Sequence, residues 1–213
     1  MEEVVLVCYD VLTVMLPTGV LTILSVIRGK KQGRLDVRRR AIRMILFGLY
    51  LFGLFHVTGA GTLYDAIRYG AEFHPSQLNL VPFSDDMINR SVLISHAVLN
   101  ILLFIPFGVL LPLIWRNLQK VWQVILTGFL LSVVVELSQL LNHRSTDIDD
   151  LILNVFGTFI GILLFRFIFR KGKQKGYAGR TEIIEMVIFI AAAFLCRFLA
   201  FDEFGAAKLL YGF

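Results

Sequence analysis

Long runs of apolar residues alternate with short polar connections along the chain. The runs cover about residues 4–27, 41–60, 91–115, 121–141, 148–169 and 182–201. Each run has close to the ~20 residues that an α-helix needs to cross a hydrocarbon layer of roughly 30 Å. The pattern therefore predicts an all-α protein, a polytopic transmembrane helical bundle with about six spans.

The composition agrees with this prediction, since 57% of the 213 residues are hydrophobic and the mean hydropathy is +0.74. A soluble domain of this length would carry a far more polar surface. The first run is too long for a secretory signal peptide, and it follows the acidic Glu2 and Glu3 rather than a basic segment. We therefore expect the first run to be a membrane helix.

Basic residues are concentrated in alternate connections. Residues 28–43 contain eight lysines and arginines, residues 166–180 contain six, and the turn 116–120 contains two, out of 21 in the chain. By the positive-inside rule these connections are cytoplasmic, so both termini are predicted to be extracytoplasmic.

The same distribution accounts for the net charge of +5, so we expect membrane lipids and no nucleic acid as partners. The basic connections are read as ordinary anchors, with a specific site for anionic lipid as the alternative. Arg166, Arg170 and Arg197, near the ends of spans, are expected to extend their charged groups to the membrane surface.

The stretch from Glu136 to Gly161 joins the fourth run to the fifth and is unusually polar. Glu136 and Gln139 lie at the end of the fourth run, and Asn154 lies within the fifth. A carboxylate in hydrocarbon costs roughly 3 kcal/mol or more. Glu136 is therefore expected to have a specific role.

Helical spacing places these polar residues on one face of each run, since successive members are three or four residues apart. The two faces comprise Gly128, Ser132, Glu136, Gln139 and His143 in the fourth run, and Asp150, Asn154, Gly157 and Gly161 in the fifth. We expect the two faces to pack together, with the small residues allowing close approach and the polar residues meeting near one end.

With the predicted orientation, three spans present polar groups at similar depth. Asn100, Glu136 and Asn154 each lie roughly 8–14 Å below the outer boundary of their helix. This convergence predicts an outward-facing pocket built from spans three, four and five, which Asp10 and His56 can join. The long outer connection 61–90 is either a plain surface loop or a lid over the polar groups.

Several segments of the chain resemble the VanZ-like family of bacterial membrane proteins. The matching segments are Asn79–Phe83 (NLVPF), Asn100–Gly108 (NILLFIPFG), Glu136–Gln139 (ELSQ) and Arg144–Gly161 (RSTDIDDLILNVFGTFIG), within about residues 45–170. The resemblance implies that the protein lies in the bacterial cell membrane, has a role in the cell envelope and is linked to resistance against teicoplanin, a glycopeptide antibiotic that acts on cell-wall precursors.

We divide the chain into a first helix with its basic loop (1–40), a VanZ-like core (41–170) and a basic loop with the last helix (171–213).

The candidate site has one catalytic candidate, Glu136, which as a desolvated carboxyl can act as general acid or base. The candidate ligand-binding residues are Asn79, Asn100, Gln139, Arg144, Asp147, Asp149, Asp150 and Asn154. Arg144 can hold a phosphate or carboxylate bidentately, while the amides orient a head group. The three aspartates would suit Mg²⁺ or Ca²⁺, but their spacing alone is weak support, and we predict neither metal nor cofactor.

Four interpretations of the same residues remain open. The polar groups can be structural, tying helices together while Asp147 or Asp149 caps the fifth span. They can form a membrane enzyme, or they can bind a ligand without turnover. A transporter is disfavoured because no inverted repeat is visible and no polar residue lies between Gly108 and Trp115. We predict a site that binds or acts on a lipid-linked cell-wall precursor, a glycopeptide or another amphiphilic ligand; the sequence gives neither the reaction nor the oligomeric state.

Overall fold

The computed structural model describes residues 2–70, 78–79, 81, 90–142, 146–169, 180–203, 205–206 and 208. These residues are mainly helical, which confirms the predicted all-α class. The helices are α1 (Glu2–Lys31), α2 (Val37–Thr58), α3 (Leu63–Tyr69), α4 (Arg90–Ile114), α5 (Val121–Gln139), α6 (Ile148–Phe169) and α7 (Arg180–Ala200). Two short strands, β1 (Leu78–Asn79) and β2 (Thr146–Asp147), pair in parallel.

Six segments of the described chain are long and apolar enough to cross a membrane, and they contain α1, α2, α4, α5, α6 and α7. Their most apolar windows have mean hydropathies between 1.7 and 2.5. Large apolar side chains such as Ile23, Leu102 and Phe156 are exposed on these helices. Such exposure is unfavourable in water but gives direct contact with hydrocarbon in a bilayer. The six predicted spans are therefore confirmed.

The chain divides into two compact units, the first formed by residues 1–71 and 185–213 and the second by residues 72–184. The first unit packs through aromatic side chains. The ring centroids of Phe47 and Phe189 are 5.9 Å apart, and those of Phe55 and Phe194 are 5.6 Å apart in an edge-to-face arrangement. Such pairs contribute beyond the area that they bury, so they join α2 to α7.

A buried ion pair also connects the helices of the first unit. Arg197 and Asp10 are only 5% and 1% exposed. Arg197 Nε donates to Asp10 Oδ1 over 2.8 Å, and a second guanidinium nitrogen donates to the Ala60 carbonyl oxygen over 2.7 Å. His56 Nδ1 lies 2.9 Å from the other carboxylate oxygen of Asp10. One polar cluster thus links α1, α2 and α7.

This arrangement corrects the expectation that Arg197 extends to the membrane surface. A long cationic side chain reaches the surface when nothing within the protein compensates its charge. Here the Asp10 carboxylate and a backbone carbonyl satisfy the guanidinium in the interior, so the side chain turns inward. Arg166 does lie at an exposed position, where it donates to the Gln119 carbonyl oxygen over 3.1 Å, while Arg170 lies outside the described residues.

The second unit contains a very close backbone approach between α4 and α6. A Cβ atom added at Gly161 would lie 2.8 Å from the Cα atom of Gly108, and one added at Gly157 would lie 3.0 Å from the carbonyl carbon of Ile101. Real Cβ atoms do not come this close to backbone atoms, so only glycine fits at these positions. The contact between α5 and α6 uses Gly128, which faces the Thr158 side chain.

The glycines Gly157 and Gly161 therefore face α4, and the expectation that they pack on α5 is wrong. The α5-facing positions of α6 are Asn154 and Thr158. Neighbouring helical residues differ by about 100° in direction. A stripe of residues spaced by three and four is therefore wide enough to contact two neighbouring helices. The spacing alone could not tell which of these residues contact α4 and which contact α5.

Candidate functional site

Asp147, at the end of β2, holds the candidate site together. Its Oδ1 atom accepts a hydrogen bond of 2.9 Å from the Asp149 backbone N–H, which caps the amino end of α6 as one interpretation of the sequence predicted. Its Oδ2 atom accepts a hydrogen bond of 3.3 Å from the Asn79 side chain. Its backbone is hydrogen bonded to Glu136. Asp147 thereby connects α5, α6 and β1.

The pairing of β1 with β2 brings residues 78–79 of the long connection 61–90 next to Asp147. Leu78 pairs with Thr146 and Asn79 with Asp147. The Asn79 side chain also accepts a hydrogen bond of 3.3 Å from the Val81 backbone N–H. Pro82 and Phe83, which belong to the expected lid, lie outside the described residues. Of this connection, residues 78–79 and 81 therefore lie beside Asp147.

Glu136, near the carboxyl end of α5, is the most deeply placed acid of the cluster and is 6% exposed. The carboxyl groups of Asp147 and Asp150 are close enough to interact electrostatically with it. From α4, Asn100 donates a side-chain hydrogen bond to Asp150 Oδ1, and His96 is near enough to interact electrostatically with Asp150. Three helices thus meet at a group of three carboxyls.

Asn154 lies one turn further along α6 than Asp150 and is 3% exposed. Its Nδ2 atom donates to Ser132 Oγ on α5 over 2.9 Å. Its Oδ1 atom is buried and has no hydrogen-bond partner among the described residues. A buried amide oxygen without a partner is costly, so this oxygen can still accept a hydrogen bond.

The structure brings together most, but not all, of the residues that the sequence singled out. Glu136 and five others lie in or directly beside one cluster, namely Asn79, Asn100, Asp147, Asp150 and Asn154. Gln139 is half-buried at the last position of α5, and Asp149 is half-buried in the first turn of α6. Arg144 lies outside the described residues. Asp10 and His56 belong to the first unit, where they contact each other.

Two contributors to the cluster were not among the predicted site residues. His96 precedes Asn100 by four residues, which places both on one face of α4, so its position was readable from the sequence. Ser132 was on the predicted face of α5 but was not given a role, and it binds Asn154. Within the described residues, no group of three histidines, cysteines or acids is arranged to hold a metal ion.

The segment of the chain that carries this cluster matches a known protein family. The VanZ/LLP1 family model matches residues 45–170, which run from α2 to the end of α6 and include the whole cluster. Protein VanZ from Enterococcus faecium is 26% identical over 165 residues, covering 73% of this chain and 89% of that protein. No solved structure is significantly similar to the chain. The match spans more than half of the chain, and the protein therefore belongs to the VanZ/LLP1 family of multi-pass membrane proteins.

Proposed function

We propose that the polar cluster of α4, α5 and α6 is a ligand site open to the extracytoplasmic side. It binds, or acts on, a lipid-linked or amphiphilic ligand of the cell envelope and contributes to resistance against the glycopeptide teicoplanin. The observation that carries this proposal is the burial of Glu136 beside two further carboxyls, Asp147 and Asp150.

A purely structural role explains this arrangement poorly. The helices already approach closely through Gly108, Gly161 and Gly128, and the neutral pair Ser132–Asn154 joins α5 to α6. Interhelical hydrogen bonds in membranes contribute only about 0.6 kcal/mol on average. Burying an acid in a membrane helix costs several times that amount, and repulsion between nearby like charges adds to this cost. A buried acid at this position therefore supports a functional role.

The chemistry of the cluster favours a ligand rich in hydrogen-bond donors. Glu136, Asp147 and Asp150 present carboxyl oxygens, and Asn154 adds an unpartnered amide oxygen. Hydroxyl groups, amide N–H groups and ammonium groups complement these acceptors. Both the sugar and peptide parts of a lipid-linked cell-wall precursor and those of a glycopeptide carry such donors. In the sequence Arg144 lies between Glu136 and Asp147. Its guanidinium group would add a cation that can bind a phosphate or carboxylate group of the ligand.

A membrane enzyme is the second candidate. Glu136 and Asp150 are adjacent acids in different surroundings, since Asp150 accepts a hydrogen bond from Asn100 while Glu136 is bonded to the Asp147 backbone. Different surroundings allow one acid to hold a proton while its neighbour is ionised. Glu136 would then act as general acid or base on a lipid head group.

The orientation on which this proposal rests has its own test. We propose that the basic connection between α1 and α2 is cytoplasmic and that both termini are extracytoplasmic. In a background with Cys8 and Cys196 replaced, a cysteine at position 32 should react with an impermeant maleimide only after cells are permeabilised. A cysteine at position 64, at the exposed Tyr64 of α3, should react in intact cells. Labelling of position 32 in intact cells would show that the connection between α1 and α2 is extracytoplasmic and would contradict the proposed orientation.

Binding is tested with purified protein in detergent. Teicoplanin and a polyprenyl-pyrophosphate-linked cell-wall precursor are added separately, and thermal unfolding is followed. At least one of them should raise Tm by a few degrees at a large excess over its Kd. Glu136→Gln should remove this shift while the Tm without ligand changes little, because a neutral amide is cheaper to bury than a carboxylate.

The matched control is Glu182→Gln, the same change at another buried acid of the second unit. Glu182 accepts a hydrogen bond of 3.2 Å from the Asn117 backbone N–H, at the turn that joins the end of α4 to the start of α5 and hence away from the cluster. This variant should keep the ligand-dependent shift. An equal shift in wild type and Glu136→Gln, or no shift with either compound, would contradict the proposed site.

A further inference from the structure

We propose that the basic hairpin, residues 28–43 at the junction of α1 and α2, binds the phosphate group of an anionic phospholipid. The site belongs to the first unit, whereas the polar cluster of α4, α5 and α6 belongs to the second. Its proposed occupant is a lipid of the same leaflet, such as phosphatidylglycerol, held by several cationic side chains at once.

Most of the cations of the basic hairpin have no ion-pair partner among the described residues. The segment holds eight lysines and arginines, and Asp36 is its single acid. Arg40 is buried, and it binds Glu185 at 2.9 Å and Ser25 at 3.3 Å. Five further cations are exposed, and their charged groups have no ion-pair partner among the described residues: Arg28, Lys30, Lys31, Arg38 and Arg39.

The hairpin is held in one shape before any ligand arrives. The Arg34 backbone N–H donates to the Gly29 carbonyl oxygen, and that of Gly33 donates to Lys30, each over 3.0 Å. Gly33 has a φ of 65°, which lets the chain reverse after α1. A Cβ atom at Gly29 would lie 3.2 Å from the Val37 side chain, so the two helix ends are in close contact. A preformed set of cations binds an anion with a smaller ordering cost.

The depth of the hairpin in the bilayer identifies the occupant. The apolar part of α1 ends at Ile27, directly before Arg28, and the apolar run of α2 begins at Ala41, directly after Arg40. The end of α1 at Lys31 lies four residues beyond Ile27, about 6 Å along the helix. The head-group layer is roughly 5–8 Å thick on each side of the hydrocarbon. The exposed cations therefore lie at the level of the lipid phosphates, to which arginine binds bidentately.

The test uses purified full-length protein in a neutral detergent, with native mass spectrometry measuring the apparent Kd for phosphatidylglycerol and for phosphatidylcholine. Wild type should bind phosphatidylglycerol more tightly. Replacing Lys30, Lys31, Arg38 and Arg39 together by glutamine should weaken phosphatidylglycerol binding by about 100-fold or more. The two double variants, Lys30→Gln/Lys31→Gln and Arg38→Gln/Arg39→Gln, should each weaken it by roughly tenfold or more, and they decide the question if the quadruple variant does not fold.

The control variant removes four charges from the basic connection 166–180, by replacing Arg170, Lys171, Lys173 and Lys175 with glutamine, and it should bind nearly as wild type does. Inorganic phosphate at the same concentration should not displace the lipid. The proposal is overturned if wild type shows no preference for phosphatidylglycerol or if the hairpin variants retain it. It is also overturned if the control variant loses as much affinity, or if inorganic phosphate competes as well as the lipid does.

Discussion

Replacing Arg197 by methionine is expected to destabilise the protein by about 3–5 kcal/mol, the usual effect of removing one partner of a buried ion pair. The substitution leaves the Asp10 carboxylate at 1% exposure without its guanidinium partner, and it leaves the Ala60 carbonyl oxygen without its donor. Methionine keeps most of the side-chain volume, so the loss reports the polar contacts. Thermal unfolding of the purified variant in detergent measures it.

Two further variants make the result specific to the pair. Asp10→Leu combined with Arg197→Met removes both charges and should recover much of the lost stability, because no uncompensated charge remains. Arg166→Met removes an exposed arginine and should cost at most about 1 kcal/mol. If Arg197→Met were as stable as wild type, the ion pair would not join α1 to α7.

Replacing Gly161 by leucine is expected to cost about 3 kcal/mol or more, at or above the upper end of the range for overpacked cores. The new side chain would start 2.8 Å from the Cα atom of Gly108, and backbone cannot give way as a flexible side chain can. The helices α4 and α6 would have to separate, which also moves Asn100 away from Asp150. A lower Tm in detergent measures this effect.

The matched control is Gly53→Leu in α2, where an added Cβ atom would meet nothing within 4 Å. Leucine has a higher helix propensity than glycine, so this variant should unfold at or slightly above the wild-type temperature. Equal stability of Gly161→Leu and wild type would show that α4 and α6 do not touch at this glycine.

The sequence predicts well those features that depend on the length of its apolar runs and on the spacing of nearby polar residues. Six spans follow from the length of the apolar runs. The meeting of Glu136 with Asp150 follows because α5 and α6 are consecutive helices joined by a short connection, so facing residues near that connection are brought together. The cap at Asp147 follows from the preference of carboxylates for helix amino ends.

Contacts between helices that are far apart in the sequence cannot be predicted from apolar runs and local spacing. Arg197 and Asp10 are 187 positions apart, and nothing in a helical period tells which distant span an arginine will face. The same limit applies to Gly161, whose helix has two neighbours within the second unit. The strands β1 and β2 have two residues each, too few for any alternating pattern to be visible.

The most direct test of the central claim, that the cluster around Glu136 is a functional site, is the teicoplanin susceptibility of cells. Cells expressing wild type, Glu136→Gln or Glu182→Gln at equal membrane levels are compared with cells carrying an empty vector. We predict that wild type and Glu182→Gln raise the minimal inhibitory concentration, while Glu136→Gln gives the empty-vector value despite normal expression and thermal stability. Full resistance in Glu136→Gln at normal expression would contradict the claim and assign the buried acid a structural role.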